Sequence, residues 1–194
     1  VKIPAPLGRL EHKPAVMIER ISGQNLKHVL PELDWEETLP LTGKLLANFH
    51  KADKRVRTQI TRNNEIEEVR ETAGVIKDAL PHHAERLHKV YRGLKKHESD
   101  VSVPQVLLHG SYRLNHMFID GDQLALLDLD SIRMGHPGYD IANFLSSNYY
   151  LEAQGRITAA ERKDIHRFFL QGYAENTGFQ VESAAILWYL ASLM

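Results

Sequence analysis

Between Val106 and Asp130 the sequence gathers side chains that can hold a cation, move a proton or orient an oxygen. His109-Gly110-Ser111 follows the apolar run Val106-Leu107-Leu108, His116 precedes Met117-Phe118-Ile119, and Asp128-Leu129-Asp130 follows Leu124-Ala125-Leu126-Leu127. Each apolar run is short and bounded by polar or turn residues, as a buried strand would be. Residues two apart on an extended chain point the same way, so Asp128 and Asp130 could present paired carboxylates. A hard cation such as Mg²⁺ takes one or two carboxylates together with phosphate oxygens and water. Two readings stay open on spacing alone: a cation site at the ends of adjacent strands, or a solvated hairpin whose Asp residues only cap turns.

The elements that must carry these residues are mostly helical. Asp34, three residues before Glu37, is a capping-box pattern, with Pro40 expected to interrupt soon after. Leu41, Leu45, Leu46 and Phe49 then fall at helical spacing and end near His50. Ile66, Val69, Ala73, Ile76 and Leu80 predict a helix over 64–80. Pro81 suits the first turn of another, through about Lys96, with Leu87, Val90, Tyr91 and Leu94 inward. Helices return over 139–150, from the Thr158/Glu161 capping box to about Gln171, and from Val181 onward. The opening is extended: Pro4 and Pro6 oppose a helix, and Ala15-Val16-Met17-Ile18 suits a buried strand before the Ser22-Gly23 turn. Gly121-Asp122 predicts a tight hairpin, Glu98 to Ser102 a loop, and Lys51 to Arg62 a solvated basic loop. The fold class expected is α+β, mostly α, with a small β-hairpin patch.

Composition narrows the chemistry. The 194 residues hold 24 Lys plus Arg, 25 Asp plus Glu, 11 His and no Cys. Without Cys there is no disulfide, thiolate nucleophile or Cys-ligated zinc. A net charge of -1 argues against a nucleic-acid partner, which needs a basic face. The apolar run from Ala184 to Met194 is too short to span a bilayer, and no signal peptide is readable, so a cytoplasmic location is expected. The chain does not begin with Met, which suggests a piece of a longer protein.

The segment LLHGSYRLNHMFIDGDQLALLDLDSIRMGHPGYDIANFL, from Leu107 to Leu145, resembles the catalytic core of the aminoglycoside phosphotransferase and choline kinase-like family. That family's pattern is HGDxxxxN, a hairpin, a strand ending in IDWED or similar, then GDPxxDLA. VMIERISGQNL is similar to its hinge strand, LTGKLLANFH to its first C-lobe helix, and IPAPLG to the lead-in to the hinge. The resemblance implies the C-terminal lobe of a protein kinase-like fold. Residues 1–25 would be the hinge strand and its approach, and 26–194 a helical C-lobe whose catalytic and metal loops lie in 106–140. No GxGxxG or GxxxxGK[ST] pattern occurs, so the N-terminal β-lobe of the same protein is expected as a missing partner.

The resemblance also implies roles by position. Ser111 stands where the family's Asp orients or deprotonates the acceptor hydroxyl, and His109 belongs to the same motif. His116 stands at the metal-binding Asn, with Asn115 one residue short. Asp128 matches the metal-holding Asp and Asp130 the second acidic position. His136 occupies the Asp of GDP, and Asp140 is expected to order the catalytic loop. Backbone groups of Met17, Ile18, Glu19 and Arg20 would face the adenine. Arg113 would contact a transferred phosphate or replace metal charge. ATP or GTP with Mg²⁺ or Mn²⁺ is the implied cofactor, and a small molecule bearing a hydroxyl the implied substrate.

Losing a positioned base costs about 10² to 10⁴ in rate. Phosphoryl transfer leans mainly on positioning and electrostatics, so Ser111 predicts a slow or re-tooled enzyme, with Asp130 as a substitute base. Imidazole in place of an amide favours Mn²⁺ or Zn²⁺ over Mg²⁺, unless His116 simply fills the space. A catalytically inactive kinase-like pseudoenzyme that binds nucleotide or a protein is the alternative. His82, His83 and His88 do not share one helix face and are expected to be solvated, while Trp188 and Tyr189 are expected in the core or at a truncated helix interface.

Overall fold

The computed structural model describes residues 2–12, 14–97 and 105–194. The loop expected over Glu98 to Ser102 lies outside the described residues. The chain opens with strands β1 (Pro6–Arg9), β2 (Val16–Ile18) and β3 (Gln24–Asn25) and one turn of helix, α1 (Leu26–Val29). Helices α2 (Trp35–His50), α3 (Arg62–Ala79) and α4 (Ala84–Lys96) follow. Four strands come next: β4 (Val106–Leu108), β5 (Met117–Asp120), β6 (Gln123–Leu126) and β7 (Arg133–Gly135). Helices α5 (Gly138–Ala153), α6 (Ala159–Asn176) and α7 (Ser183–Leu193) close the chain.

Local chemistry explains most of these boundaries. The Asp34 carboxylate accepts from the backbone N–H of Glu36 and Glu37, and so starts α2. Reciprocal capping boxes start α3, through Thr61 and Asn64, and α6, through Thr158 and Glu161. Pro40 does not interrupt α2, contrary to expectation. It sits in the second turn, where its missing N–H bares only the carbonyl of Glu36, an exposed residue that water can satisfy.

The core forms where α2 crosses α6. A Cβ on Gly43 would lie 2.1 Å from the Phe169 carbonyl oxygen, and one on Gly172 would lie 2.0 Å from that of Pro40. Only glycine allows this backbone-to-backbone approach. Phe144 stacks on Phe169 with centroids 3.9 Å apart, and the fully buried Tyr112 donates its hydroxyl to the Thr42 carbonyl at 2.6 Å. A second apolar cluster joins Ile66, Leu94, Leu108, Tyr139 and Trp188. Within it the Trp188 indole donates to the Leu94 carbonyl at 2.9 Å, tying α7 to α4.

Among the described residues three sheets are formed. β3, β5 and β6 make one antiparallel sheet, with Met117 opposite Leu126. β4 pairs instead with β7, a strand the sequence did not reveal. The basic segment before α3 is stitched to β7: Ile60 N–H donates to the Met134 carbonyl at 2.9 Å, and Met134 N–H to that of Thr58 at 2.8 Å. It is therefore not wholly solvated, and Ile60 is buried. β1 and β2 form a separate two-stranded ribbon. Val16, Met17 and Ile18 were expected in a core but are exposed there, because β2 pairs only with β1. The α3–α4 pair is also less buried than its spacing implies, with Leu80 and Val90 exposed and Leu94 buried. No helix among the described residues is long and apolar enough to cross a membrane.

Candidate active site

The loop from His109 to His116 begins where β4 ends, and α5 shapes it from behind. Gly110 turns the chain at φ +83°, and a Cβ there would lie 2.2 Å from the Ser131 carbonyl oxygen. Glycine alone fits that conformation and that approach. Asp140, in the first turn of α5, is fully buried. Its two oxygens accept from His109 N–H at 2.7 Å and Gly110 N–H at 2.8 Å. The expectation that Asp140 orders this loop is thus seen as two charge-assisted hydrogen bonds.

A second buried histidine completes that clamp. His50, at the end of α2, sets Nε2 3.2 Å from Asp140 Oδ2 and Nδ1 2.9 Å from the Tyr173 hydroxyl. A carboxylate can only accept, so Nε2 carries the proton and Nδ1 accepts from Tyr173. Burial holds the Tyr173 hydroxyl well above its ordinary value, which keeps it a donor. The sequence marked His50 only as the end of a helix; its partners lie 90 and 123 residues away.

At the mouth of the loop, side chains from three short elements meet. His109 Nε2 donates to the Leu127 carbonyl at 2.9 Å, while its Nδ1 accepts from Ser111 N–H at 3.3 Å. Arg113 donates through Nη2 to the Ser111 hydroxyl oxygen at 2.6 Å, and its Nε is buried without a partner among the described residues. His116 Nδ1 lies 2.9 Å from the Ser111 carbonyl, and its Nε2 lies 3.0 Å from Asp128 Oδ2.

The contact with Asp128 favours a protonated ring, whereas burial first and the Arg113 cation second push the His116 pKa below its usual range. With Asp128 about two-fifths exposed and screened by water, burial and Arg113 prevail. Nδ1 faces the Ser111 carbonyl, which can only accept, so it carries a proton, and Nε2 faces the Asp128 carboxylate.

Asp128 and Asp130 are not the paired carboxylates of a strand. β6 ends at Leu126, Asp128 takes left-handed backbone at φ 65° and ψ 59°, and Leu129–Ser131 is a 3₁₀ turn. That turn breaks the two-residue alternation on which the pairing rested. Asp130 is exposed and accepts from Ser131 Oγ at 3.4 Å; among the described residues no hydrogen bond or ion pair joins it to Ser111 or His116. The structure thus brings together His109, Ser111, Arg113, His116 and Asp128, and leaves Asp130 aside. Met17 and Ile18 lie on the exposed ribbon and Arg20 is exposed. Glu19 gives its N–H to the Ala5 carbonyl at 2.8 Å and its carboxylate to Lys2 at 2.7 Å.

His136 proves to be structural. Its Nδ1 accepts from Gly138 N–H at 3.0 Å at the start of α5, as a carboxylate there would. Burial first, then Arg62 and His50, push its pKa down to about 4, so it stays neutral.

For a divalent cation, the donor set is the Nε2 of His116 and the carboxylate of Asp128. No group of three or more His, Asp or Glu among the described residues is placed to hold a metal. Two protein ligands suffice where phosphate oxygens and water fill the other positions, so the residues present fit a nucleotide-borne ion.

Comparisons with known proteins agree with this architecture. The model of a phosphotransferase enzyme family matches residues 1–177. No curated protein matches the chain in sequence. Among solved structures, a choline/ethanolamine kinase family protein from Mesorhizobium loti aligns with TM-score 0.66 at 12% identity, over 91% of this chain and 56% of that one. An aminoglycoside-3'-phosphotransferase of type VIII aligns with TM-score 0.70 at 12% identity, over 97% and 73%. A spectinomycin phosphotransferase, solved with ADP and spectinomycin, aligns with TM-score 0.67 at 15% identity, over 96% and 62%. The chain therefore spans between 56% and 73% of the length of these structures. At such identities the likeness shows the fold: the mostly helical C-terminal lobe of a protein kinase-like architecture.

Proposed function

The chain belongs to the phosphotransferase enzyme family, and on that premise we propose that it serves an ATP- or GTP-dependent transfer of phosphate to a hydroxyl of a small molecule. The observation that carries the reading is the Asp140 clamp on the His109-Gly110 backbone, with Arg113, His116 and Asp128 gathered at the mouth of the same loop. A buried carboxylate spent wholly on fixing a loop is expected where small displacements of the loop cost rate.

In this reading Asp128 and His116 hold a divalent cation, Mg²⁺ or Mn²⁺, which neutralises phosphate charge when bound. Arg113 adds a guanidinium beside the Ser111 hydroxyl, a positive charge that suits a transferred phosphate. Ser111 receives the Arg113 hydrogen bond on its oxygen, which leaves its own proton to donate. It orients the acceptor and takes no proton from it. Because little proton removal is needed early in phosphoryl transfer, such a site is slow and still competent. Asp130 would act as base only after its turn moves inward. Met17 to Arg20 would meet the nucleotide base through backbone groups of the exposed ribbon.

The second reading is a pseudoenzyme that binds nucleotide or a protein partner and transfers nothing. It draws on the same Ser111, which replaces a proton acceptor with a hydroxyl already engaged by a cation. The double variant Ser111→Asp, His116→Asn separates the two when nucleotide hydrolysis is measured. A decayed kinase gains activity, by up to about the 10² to 10⁴ that a positioned base supplies. An enzyme tuned to its present residues loses what it has. No hydrolysis in either protein, with nucleotide bound, supports the pseudoenzyme.

A further inference from the structure

We propose that a basic cavity behind the Asp140 clamp binds a small anion of the phosphate class, at a place apart from the loop of His109 to His116. The proposal goes beyond the reading above and does not rest on it. The cavity, of about 280 Å³, lies where the end of α2 meets β4, β7 and the segment after α6. Lys51, Lys54 and Arg55 line it, and Asp53 is the acidic residue among its walls. None of Ser111, Arg113, His116 or Asp128 lines it, whereas the clamp residue His50 does.

The chain holds these cations in place. Lys51 caps the end of α2, and its Nζ donates to the Asn176 carbonyl at 2.7 Å. Arg55 donates through Nη1 to the Gln105 carbonyl at 3.3 Å, just before β4. Between them the Lys54 N–H donates to the Ala52 carbonyl at 2.8 Å, which folds the segment tightly. Val56 then packs on the main core, and Thr58 and Ile60 are bonded to Met134. A charge run tethered at both ends keeps its cations together, as a solvated loop does not. The Lys54 ammonium has no hydrogen bond or ion pair among the described residues.

Charge decides what such a cavity attracts. Its three cations stand against the Asp53 carboxylate and the carbonyl end of α2, which carries about half a negative charge. An excess of about one and a half positive charges remains. Asp140 lies behind His50, and its carboxylate is already met by His50 and two loop N–H groups. The floor is apolar, from Leu107, Met134 and Phe179. Low-dielectric walls beside charges of one sign focus their field and concentrate counter-ions. Arg55 presents a fork of N–H donors that suits phosphate and has used one of them on Gln105. Lys54 adds three more donors. A phosphate monoester fits this set, its oxygens on Lys54 and Arg55 and its organic part on the floor.

The test is a titration of the full chain with sodium phosphate, followed by amide ¹H–¹⁵N correlation NMR, with NaCl adjusted to hold ionic strength constant. Saturable shifts are expected at Lys51 to Arg55 and at Gln105 to Leu107. Phenyl phosphate, in a second arm, should bind more tightly at the same residues, because only it reaches the floor. Equal affinity would sustain the anion site and assign it to the free ion. In the double variant Lys54→Gln, Arg55→Gln the affinity should fall about tenfold or more, the worth of a charge-assisted hydrogen bond. Shifts that never saturate, that NaCl alone reproduces or that survive in the double variant would overturn the proposal. Shifts confined to Ser111 to His116 would also overturn it, and would leave the phosphotransfer reading intact. Saturable shifts at the cavity, with a loop that ignores ADP, would sustain the proposal and count against that reading.

Discussion

Three titrating side chains, His136 and Glu65 buried and His166 half-buried, lie away from the site's mouth and contribute to how the molecule responds to pH. His136 and His166 have pKa values pushed down to about 4 from 6.5, chiefly by burial, with Arg62 beside the first and Arg162 beside the second. Glu65 is pushed up to about 7 from 4.5 by burial and by Glu68. A lowered histidine contributes stability above 6.5 that is lost as pH falls toward 4; a raised carboxyl contributes stability below 4.5 that is lost as pH rises toward 7. Between pH 5 and 6 these three groups alone give the unfolded chain about two extra protons at the histidines and one fewer at Glu65, so their joint contribution to stability rises with pH by about one proton's worth. The melting temperature should therefore climb from pH 5 to about 6.5 and level off. Glu65→Gln should roughly double the acid slope, and an unchanged slope would contradict these assignments. Asp140→Asn is a sharper case, because an amide can satisfy only one of the two loop N–H groups and sets its own NH₂ against the other. It should cost about 2 to 3 kcal/mol in urea unfolding. The site was legible in the sequence wherever its geometry is local. Ser111, Arg113 and His116 touch one another because they lie within one tight loop. Asp-x-Asp alone left the pairing of Asp128 and Asp130 open, because it does not reveal that Asp128 leaves the strand, and His50 was passed over because its partners are distant in sequence.

The elements were readable to the extent that periodicity and caps determine them. The helices follow their apolar spacing, and the Thr158/Glu161 box stands where its residues predicted. β7 was hidden because Arg133-Met134-Gly135 has no apolar alternation of its own and becomes a strand only by pairing with β4. Pro40 was misread because the cost of proline depends on whether the bared carbonyl is buried, which no local pattern states. The α2–α6 crossing offers a direct test. Gly172→Ala puts a methyl within 2.0 Å of the Pro40 carbonyl oxygen, which must shift. A loss of about 3 kcal/mol is expected from overpacking. Because Tyr173 is the next residue and holds His50, the same change should loosen the Asp140 clamp. Amide exchange at His109 and Gly110 should quicken more than the global loss explains, and protection unchanged beyond that loss would show that the crossing does not set the loop.

At the scale of the whole molecule, the helical body carries the ordered loop from His109 to His116, and the exposed ribbon β1–β2 is the proposed nucleotide contact. The near-neutral charge supplies no steering field, so recognition must come from the loop itself. The proposed activity requires that this loop and the ribbon hold a nucleotide. The most direct measurement is thermal unfolding of the chain with ATP or GTP, each with Mg²⁺ or Mn²⁺, since a ligand that binds only the folded state raises the melting temperature. A rise of about 5 °C or more is predicted at a hundredfold excess over Kd, larger with Mn²⁺ than with Mg²⁺ and abolished in Asp128→Ala. No rise with any nucleotide–metal pair would contradict it.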